Sequence, residues 1–249
     1  MTTLRVPAGF SVESHAAVGS TNAVAFERAA AGAPSGLWTI AARQTSGRGR
    51  LGRTWTSEPG NLFCSLLLRE GLAPSRFGEL PLVAALAVHD AVTAALPPTA
   101  AAALRIKWPN DVLYDGAKLS GILVEGALRP EGQVVVIGIG INCHHHPDTS
   151  LYPATDLASL GYPVEPADMF SLLAEHLARR LDQWHAGPFE PLRAAWLDRA
   201  CGLGEPISVR LPSGTRTGVF DGLDADGRLE LRVDGRLETI AAGDVFFNP

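Results

Sequence analysis

The run Val134–Ile141 reads VVVIGIGI, with no charged or strongly polar side chain and an excess of β-branched residues. Such a segment suits a central strand, which needs neighbours on both edges. Apolar runs at 37–42 and 62–68 read as buried strands that can supply them, and residues 10–16 alternate like a further strand. Another strand is expected near 104–108, followed by a hairpin-like pair around Asp115-Gly116. Between them lie helical stretches. One opens at Gly19-Ser20-Thr21-Asn22 and stops at Gly32 and Pro34; a second, 75–96, is ended by Pro97-Pro98; 167–186 and 188–201 have helical spacing. Residues 143–166 read as a Pro- and His-rich loop.

From Glu205 the texture changes to short alternating strands: Ile207–Leu211, Thr217–Leu223, Arg228–Val233 and Arg236–Ile240, separated by tight turns such as Asp234-Gly235. This pattern predicts a small antiparallel barrel of about 45 residues. The division expected is 1–203 and 204–249, and Gly202-Leu-Gly204 is too short a linker for independent tumbling, so the barrel should pack beside the larger unit. No repeat at a period of about 20–50 residues is present.

Charge narrows the function. The formal net charge of −5 argues against a general DNA-, RNA- or membrane-surface role. His89-Asp90 interrupts the longest apolar stretch, so no transmembrane helix of about 20 apolar residues is expected. Residues 1–19 lack a secretory h-region, and three widely spaced cysteines suit reduced thiols, which together predict a cytoplasmic protein. Among 21 basic residues the only lysines are Lys107 and Lys118, within one short window. A compact ammonium in that window is chemically distinct from the arginines that supply charge elsewhere.

Two clusters carry chemistry. Gly47-Arg-Gly-Arg-Leu-Gly-Arg53 lies between two apolar strands; its glycines allow close backbone approach to an anion, and its guanidinium forks match phosphate or carboxylate oxygens. A solvated hinge loop would have the same composition. It is neither a Walker A loop nor a GxGxxG turn. The second cluster is Lys107-Trp-Pro-Asn-Asp111 followed by Lys118-Leu-Ser-Gly-Ile-Leu-Val-Glu125. Asn110 and Asp111 at a strand rim could meet a metal ion or an amine, and an inward Lys118 would be a partly desolvated cation beside Gly121. Turn-forming Asn and Asp with two strand-end lysines is the plainer alternative.

GRGRLGR (47–53), KWPND (107–111), KLSGILVE (118–125) and GIGIN (138–142), in this order, resemble the biotin protein ligase family, and STN (20–22) and Gln44 fit its substrate pocket. The resemblance covers residues 10 to about 200 and extends to an SH3-like C-terminal barrel. It implies an α+β fold, a mixed sheet with flanking helices related to class II aminoacyl-tRNA synthetases and lipoate ligases. It also implies ATP-dependent activation of biotin as biotinyl-5′-AMP with release of pyrophosphate, then transfer to one lysine of a biotin carboxyl carrier domain of a carboxylase.

By that resemblance Lys118, Arg50 and Asp111 are the catalytic residues. Ser20, Thr21, Asn22, Gln44, Gly47, Arg48, Gly49, Arg50 and Lys118 hold biotin. Arg50, Arg53, Trp55, Lys107, Asn110 and Asn142 face the nucleotide, with Trp55 beside the adenine or in the core. Mg²⁺ is expected with ATP, on Asn110 and Asp111, which otherwise orient the acceptor lysine. The 47–53 loop should close over the adenylate and exclude water from a labile mixed anhydride.

After GIGIN the chain departs from the family pattern with Cys143 and His144-His145-His146, which read as a solvated loop because adjacent histidines on a strand cannot face one zinc ion. Only nine residues precede the first strand, so the helix-turn-helix of repressor members, and with it DNA binding, is not expected. The resemblance leaves monomer and homodimer open. Competing readings are a lipoate or octanoate ligase on the same scaffold, an RNA-binding module using the Arg/Gly loop with Trp55, and an SH3-like adaptor.

Overall fold

A computed structural model describes residues 4–69, 71, 74–129, 132–148 and 153–247. Its first part contains β1 (Ser11–His15), α1 (Thr21–Ala30), β2 (Leu37–Ala41), β3 (Leu62–Arg69), α2 (Leu80–Ala95), α3 (Pro98–Ala101), β4 (Leu104–Lys107), β5 (Asp111–Tyr114), β6 (Ala117–Arg129), β7 (Gly132–Ile141), α4 (Pro166–Ala186) and α5 (Glu190–Leu197). The strands form one seven-stranded sheet in the order β1-β2-β3-β7-β6-β5-β4. Only β1 and β2 run parallel; the other neighbours are antiparallel, so the sheet is mixed.

The VVVIGIGI run is β7, paired with β3 on one edge and β6 on the other. Successive side chains of a strand point to opposite faces, and here the two faces are unlike. Val135, Ile137, Ile139 and Ile141 point into the main core, under α2 and α4. Val134 and Val136 point the other way, against Ala25 and Ala29 of α1. The residues that continue this second face are Gly138, Gly140 and Asn142. Where the helix begins, the strand stops offering side chains, and the space left over becomes a cavity.

Residues 76–95 have the length and apolar composition of a membrane span, but 67% of their most apolar 18-residue window is buried inside the protein, as in a core helix. The expected helix 188–201 is shorter, ending at Leu197. The backbone of 199–201 is captured by the edge strand β4, with Ile106 N donating to Arg199 O and Cys201 N to Ile106 O, both at 2.8 Å.

The second sheet is antiparallel, in the order β11-β10-β9-β8-β12, from β8 (Pro206–Leu211), β9 (Gly214–Leu223), β10 (Leu229–Val233), β11 (Arg236–Ile240) and β12 (Asp244–Phe247). The four-residue β12 has no counterpart in the sequence reading. It is too short to show periodicity and exists because β8 offers it a partner. The two sheets share one apolar core: Ile207, Val209, Phe220 and Leu229 belong to the same cluster as Trp108, Trp184 and Trp196. Trp196 meets Phe220 edge-on with centroids 6.5 Å apart, and Trp108 Nε1 donates to Gly227 O at 3.2 Å.

Candidate active site

A cavity of about 400 Å³ lies over the glycine face of β7, between the N-terminus of α1, the loop after β2 and the start of β6. Gly138, Gly140 and Asn142 mark three stations along its floor, two residues or roughly 7 Å apart at the usual strand rise. A Cβ on Gly138 would lie 2.2 Å from Asn22 Oδ1, and one on Gly140 2.5 Å from the Trp55 ring. Both positions need glycine so that these side chains can lie against the sheet.

At the first station Thr21, Asn22 and Ser65 are buried, Gln44 is half-buried, and the polar groups are mutually bonded. Gln44 Oε1 accepts from Thr21 N at 2.8 Å and Thr21 Oγ1 at 3.1 Å. The Ser65 hydroxyl lies 2.7 Å from Thr21 Oγ1 and 2.6 Å from Asn22 Oδ1, and its single proton serves one of them at a time. Asn22 Nδ2 donates to Glu125 Oε2 at 2.7 Å, while Gln44 Nε2 donates to Ser57 Oγ at 3.0 Å. Ser20 stands at the N-cap of α1 in extended conformation without a capping side-chain bond. Ser65, Glu125 and Ser57 were not singled out from the sequence. Ser65 had a signal, being the one hydroxyl inside the apolar run 62–68.

At the middle station Lys118 Nζ sits 2.7 Å from Asp111 Oδ1 and 5.3 Å from the centre of the Trp55 ring. Its orientation comes from a register shift. Val112 pairs with Ser120 but Leu113 with Lys118, so Leu119 is an extra residue in β6. This bulge sends Leu119 into the core and puts Lys118 on the cavity face. The Lys118 backbone is fixed as well, donating to Pro153 O at 2.8 Å and accepting from Thr155 N at 3.0 Å. Trp55 packs on Gly140 and Gly121, and its Nε1 has no hydrogen-bond partner among the described residues.

Asn110 and Asp111 do not form the expected metal pair. Asn110 donates to Ile122 O at 2.5 Å, its one acceptor oxygen receives Arg50 Nη1 at 3.1 Å, and Asp111 is occupied by Lys118. Two cations of the chain already stand where Mg²⁺ would bind. Among the described residues no group of three or more His, Cys, Asp or Glu side chains could hold a metal.

The 47–53 loop is a narrow turn closed on itself: Arg48 bridges to Thr54, Gly49 N donates to Arg53 O at 2.7 Å and Trp55 N to Gly47 O at 2.9 Å. Leu51 at its tip has a φ of 55° and is 71% exposed. Arg50 Nη2 donates to Gly243 O at 3.1 Å, and Arg53 is ion-paired with Asp244, both acceptors lying in the turn before or at the start of β12. Arg48 reaches back to Glu125 at 3.6 Å. Asp244, absent from the sequence reading, is part of the cavity wall.

Two expected ligand contacts fall elsewhere. Gly47 does not line the cavity; a Cβ there would meet Ser57 Oγ and Trp55 O at 2.5 Å, so it serves packing of the loop. Lys107 lies behind the wall, 5.9 Å from the rings of Phe246 and Phe247, because it follows Ile106 on a strand whose end is covered by β12. Burial favours its neutral form and lowers its pKa, with Asp111 and Asp244 opposing. The remaining expected residues, Gly49 among them, line the cavity, with Asn142 at the far station, its Nδ2 bonded to Thr155 O at 3.0 Å.

The three histidines diverge. Asn61 Oδ1 accepts the backbone N–H groups of Cys143, His144 and His145 at 2.9–3.1 Å, while His146 Nδ1 pairs with Asp156 at 2.5 Å and His144 Nε2 lies 3.6 Å from Glu165. Burial pushes the Cys143 thiol up to about 12 and raises that of Cys64 as well, which favours the protonated thiol at both.

Residues 16–142 match the Biotin/lipoate A/B protein ligase family, and residues 202–248 match the Biotin protein ligase C terminal domain. A biotin–[acetyl-CoA-carboxylase] ligase of Paracoccus denitrificans is 40% identical over 235 residues, 92% of this chain and 97% of its own length. The structure of a biotin protein ligase from Aquifex aeolicus in complex with biotin and ATP is similar with a TM-score of 0.80 at 27% identity, covering 95% of this chain and 97% of that one. A biotin protein ligase from Leishmania major in complex with biotinyl-5-AMP gives a TM-score of 0.66 at 27% identity, covering 93% of this chain and 99% of the other.

Proposed function

The chain belongs to the biotin/lipoate A/B protein ligase family, and we propose that its cavity carries both half-reactions of an ATP-dependent biotin protein ligase with a defined division of labour. The observation that carries this reading is the pairing of an internally bonded polar pocket at Gly138 with a lysine at Gly140 on one continuous floor. The relatives reported are biotin ligases, which disfavours lipoate or octanoate as substrate.

The network of Thr21, Asn22, Gln44 and Ser65 holds more acceptor positions than protons, so it receives the N–H groups of the biotin ureido ring. With the ring there, the biotin carboxylate points along β7 toward Lys118. In the first step a carboxylate oxygen bonds to the α-phosphorus of ATP and the bond to the bridging pyrophosphate oxygen breaks. Two anions must meet, and Lys118, Arg50 and Arg53 lower the cost by placing positive charge on the shared oxygens. Asp111 holds Lys118 in position, and Trp55 walls off solvent beside it. Asn142 lies at the nucleotide end. Mg²⁺ enters on the triphosphate as part of the substrate, since such ions are bound largely through phosphates and water.

In the second step the lysine of a biotin carboxyl carrier domain attacks the biotinyl carbonyl and AMP leaves. Reduced Cys64, Cys143 and Cys201 suit work in the cytoplasm. Biotin-dependent ATP–pyrophosphate exchange tests the whole reading. Exchange with biotin and none with lipoate is expected; exchange with lipoate alone, or with neither acid, overturns it.

A further inference from the structure

Thr21, Asn22, Gln44 and Ser65 exchange hydrogen bonds, and the direction of most of these bonds is settled by groups that can act in only one way. At one end the backbone settles it: the Thr21 N–H can only donate, so Gln44 presents its oxygen to Thr21 and its nitrogen to Ser57. Gln44 Oε1 can only accept, so the Thr21 hydroxyl directs its proton there, at 3.1 Å. At the other end a side chain settles it. Asn22 Nδ2 lies 2.7 Å from Glu125 Oε2 and 3.4 Å from Leu123 O, both of them acceptors.

Glu125 reaches this place by strand alternation. Leu123 pairs with Gly138 and Glu125 with Val136, so Glu125 is the next residue on the same face of β6, beside Asn22 in the first turn of α1. It does not line the cavity but stands behind Asn22, half-buried, and its Oε2 also meets Arg48 Nη2 at 3.6 Å.

We propose that Glu125 is a positioning residue that fixes the Asn22 amide and so makes the pocket select an acid whose ring carries N–H donors. The inference rests on the ligase reading and gives its preference for a cyclic urea a physical origin. With its nitrogen turned to Glu125, Asn22 shows Ser65 its oxygen, 2.6 Å away. The Ser65 hydroxyl then has one proton for two acceptors, Asn22 Oδ1 and Thr21 Oγ1, and the acceptor left without it is open to an N–H of the ligand. Were Asn22 turned over, its Oδ1 would face the Glu125 carboxylate, two acceptors in contact. Its amide N–H would then donate to Ser65, the shortage of protons would vanish, and a ligand N–H would meet an N–H. A dithiolane ring, having no N–H, gains nothing from either arrangement.

The test compares Glu125→Met, which keeps the length of the side chain and removes its acceptor, with Glu125→Gln, which keeps an acceptor and loses the charge toward Arg48. Both are read by ATP–pyrophosphate exchange driven by biotin and by its two carbamate analogues, in each of which a ring oxygen replaces one N–H. Glu125→Met should raise KM for biotin about tenfold, with kcat and KM for ATP within about twofold of the parent. The preference for biotin over the poorer carbamate, in kcat/KM, should fall about fivefold in Glu125→Met and return to within about twofold of the parent in Glu125→Gln. Glu125→Asp, which withdraws the acceptor by one methylene and keeps the charge, should lie between them and gives the same reading should Glu125→Met fail to fold. An unchanged preference in both Glu125→Met and Glu125→Asp overturns the assignment, because a purely structural role weakens every acid alike. So does a Glu125→Gln variant as impaired as Glu125→Met, which would put the effect in the ion pair with Arg48. Absence of exchange in the parent protein would sink the ligase reading itself, and is distinct from either result.

Discussion

Where Thr21, Asn22, Gln44 and Ser65 meet, the polar partners come from the large sheet, the helix packed on it and the loop between their strands, and all but the half-buried Gln44 are buried. The 47–53 turn at the other side of the cavity is half-exposed, and its tip is held by Arg50 and Arg53 reaching residues 193 and 191 positions away. The first region is bonded within itself. The second depends on long-range contacts between flexible side chains and a turn of the other sheet. Removing a group from a largely buried, internally bonded network leaves partners unpaired, whereas an exposed arginine contact is partly replaced by water. The first region is therefore the more rigid of the two.

The largest effect should come from the point where the two regions meet. Lys118→Met is expected to lower the rate of adenylate formation by about 10²–10³-fold with the fold intact, the usual loss for one charge-stabilising group. Single-turnover adenylation near the parent rate would show that the arginines of the turn suffice. Next comes the rigid region: Ser65→Ala removes the shared hydroxyl, and a loss of about 1–3 kcal/mol in biotin binding is expected from titration calorimetry. An unchanged biotin affinity would mean that the network is no more preorganised than the turn.

Arg50→Gly acts on the movable region and should release biotinyl-AMP about tenfold faster, so that bystander lysines become labelled, because its guanidinium fork no longer holds the phosphate. A stopped-flow chase that finds the adenylate retained as tightly as in the parent would assign the closure to another side chain. The smallest effect is expected for Asp244→Asn, which weakens the hold on Arg53 from outside. Asp244 is buried but Arg53 is half open to solvent, which keeps the pair's contribution to about 1 kcal/mol, so adenylate retention should fall about threefold, and the difference should shrink with added salt. A salt-independent difference would point to a structural role for Asp244 instead.

Much of the site was legible because its residues cluster in short motifs. STN, Gln44, the Arg/Gly loop and Lys118 all fall on the cavity, since a turn or strand end keeps neighbours in sequence close in space. What could not be read were partners distant along the chain. Ser65 and Glu125 sit on strands whose facing depends on sheet order, and Asp244 belongs to a strand with no periodic signal. Lys107 and Gly47 went astray for the same reason: both lie inside motifs, but burial behind β12 and packing against Ser57 are properties of the folded chain.

The sequence by itself determined that 134–141 is a central strand and that a helix opens at Gly19-Ser20-Thr21-Asn22. These follow from an excess of β-branched residues and from a helix-start signal, which are local properties. Tertiary structure decided which way the chemistry points. The bulge at Leu119 turns Lys118 from the core to the cavity, and it arises only when β6 is forced into register with β5 and β7 at once. The second sheet likewise gains its place by sharing a core with the first, which brings Gly243 and Asp244 over a loop more than 190 positions away. Register and docking are set by pairing between distant segments.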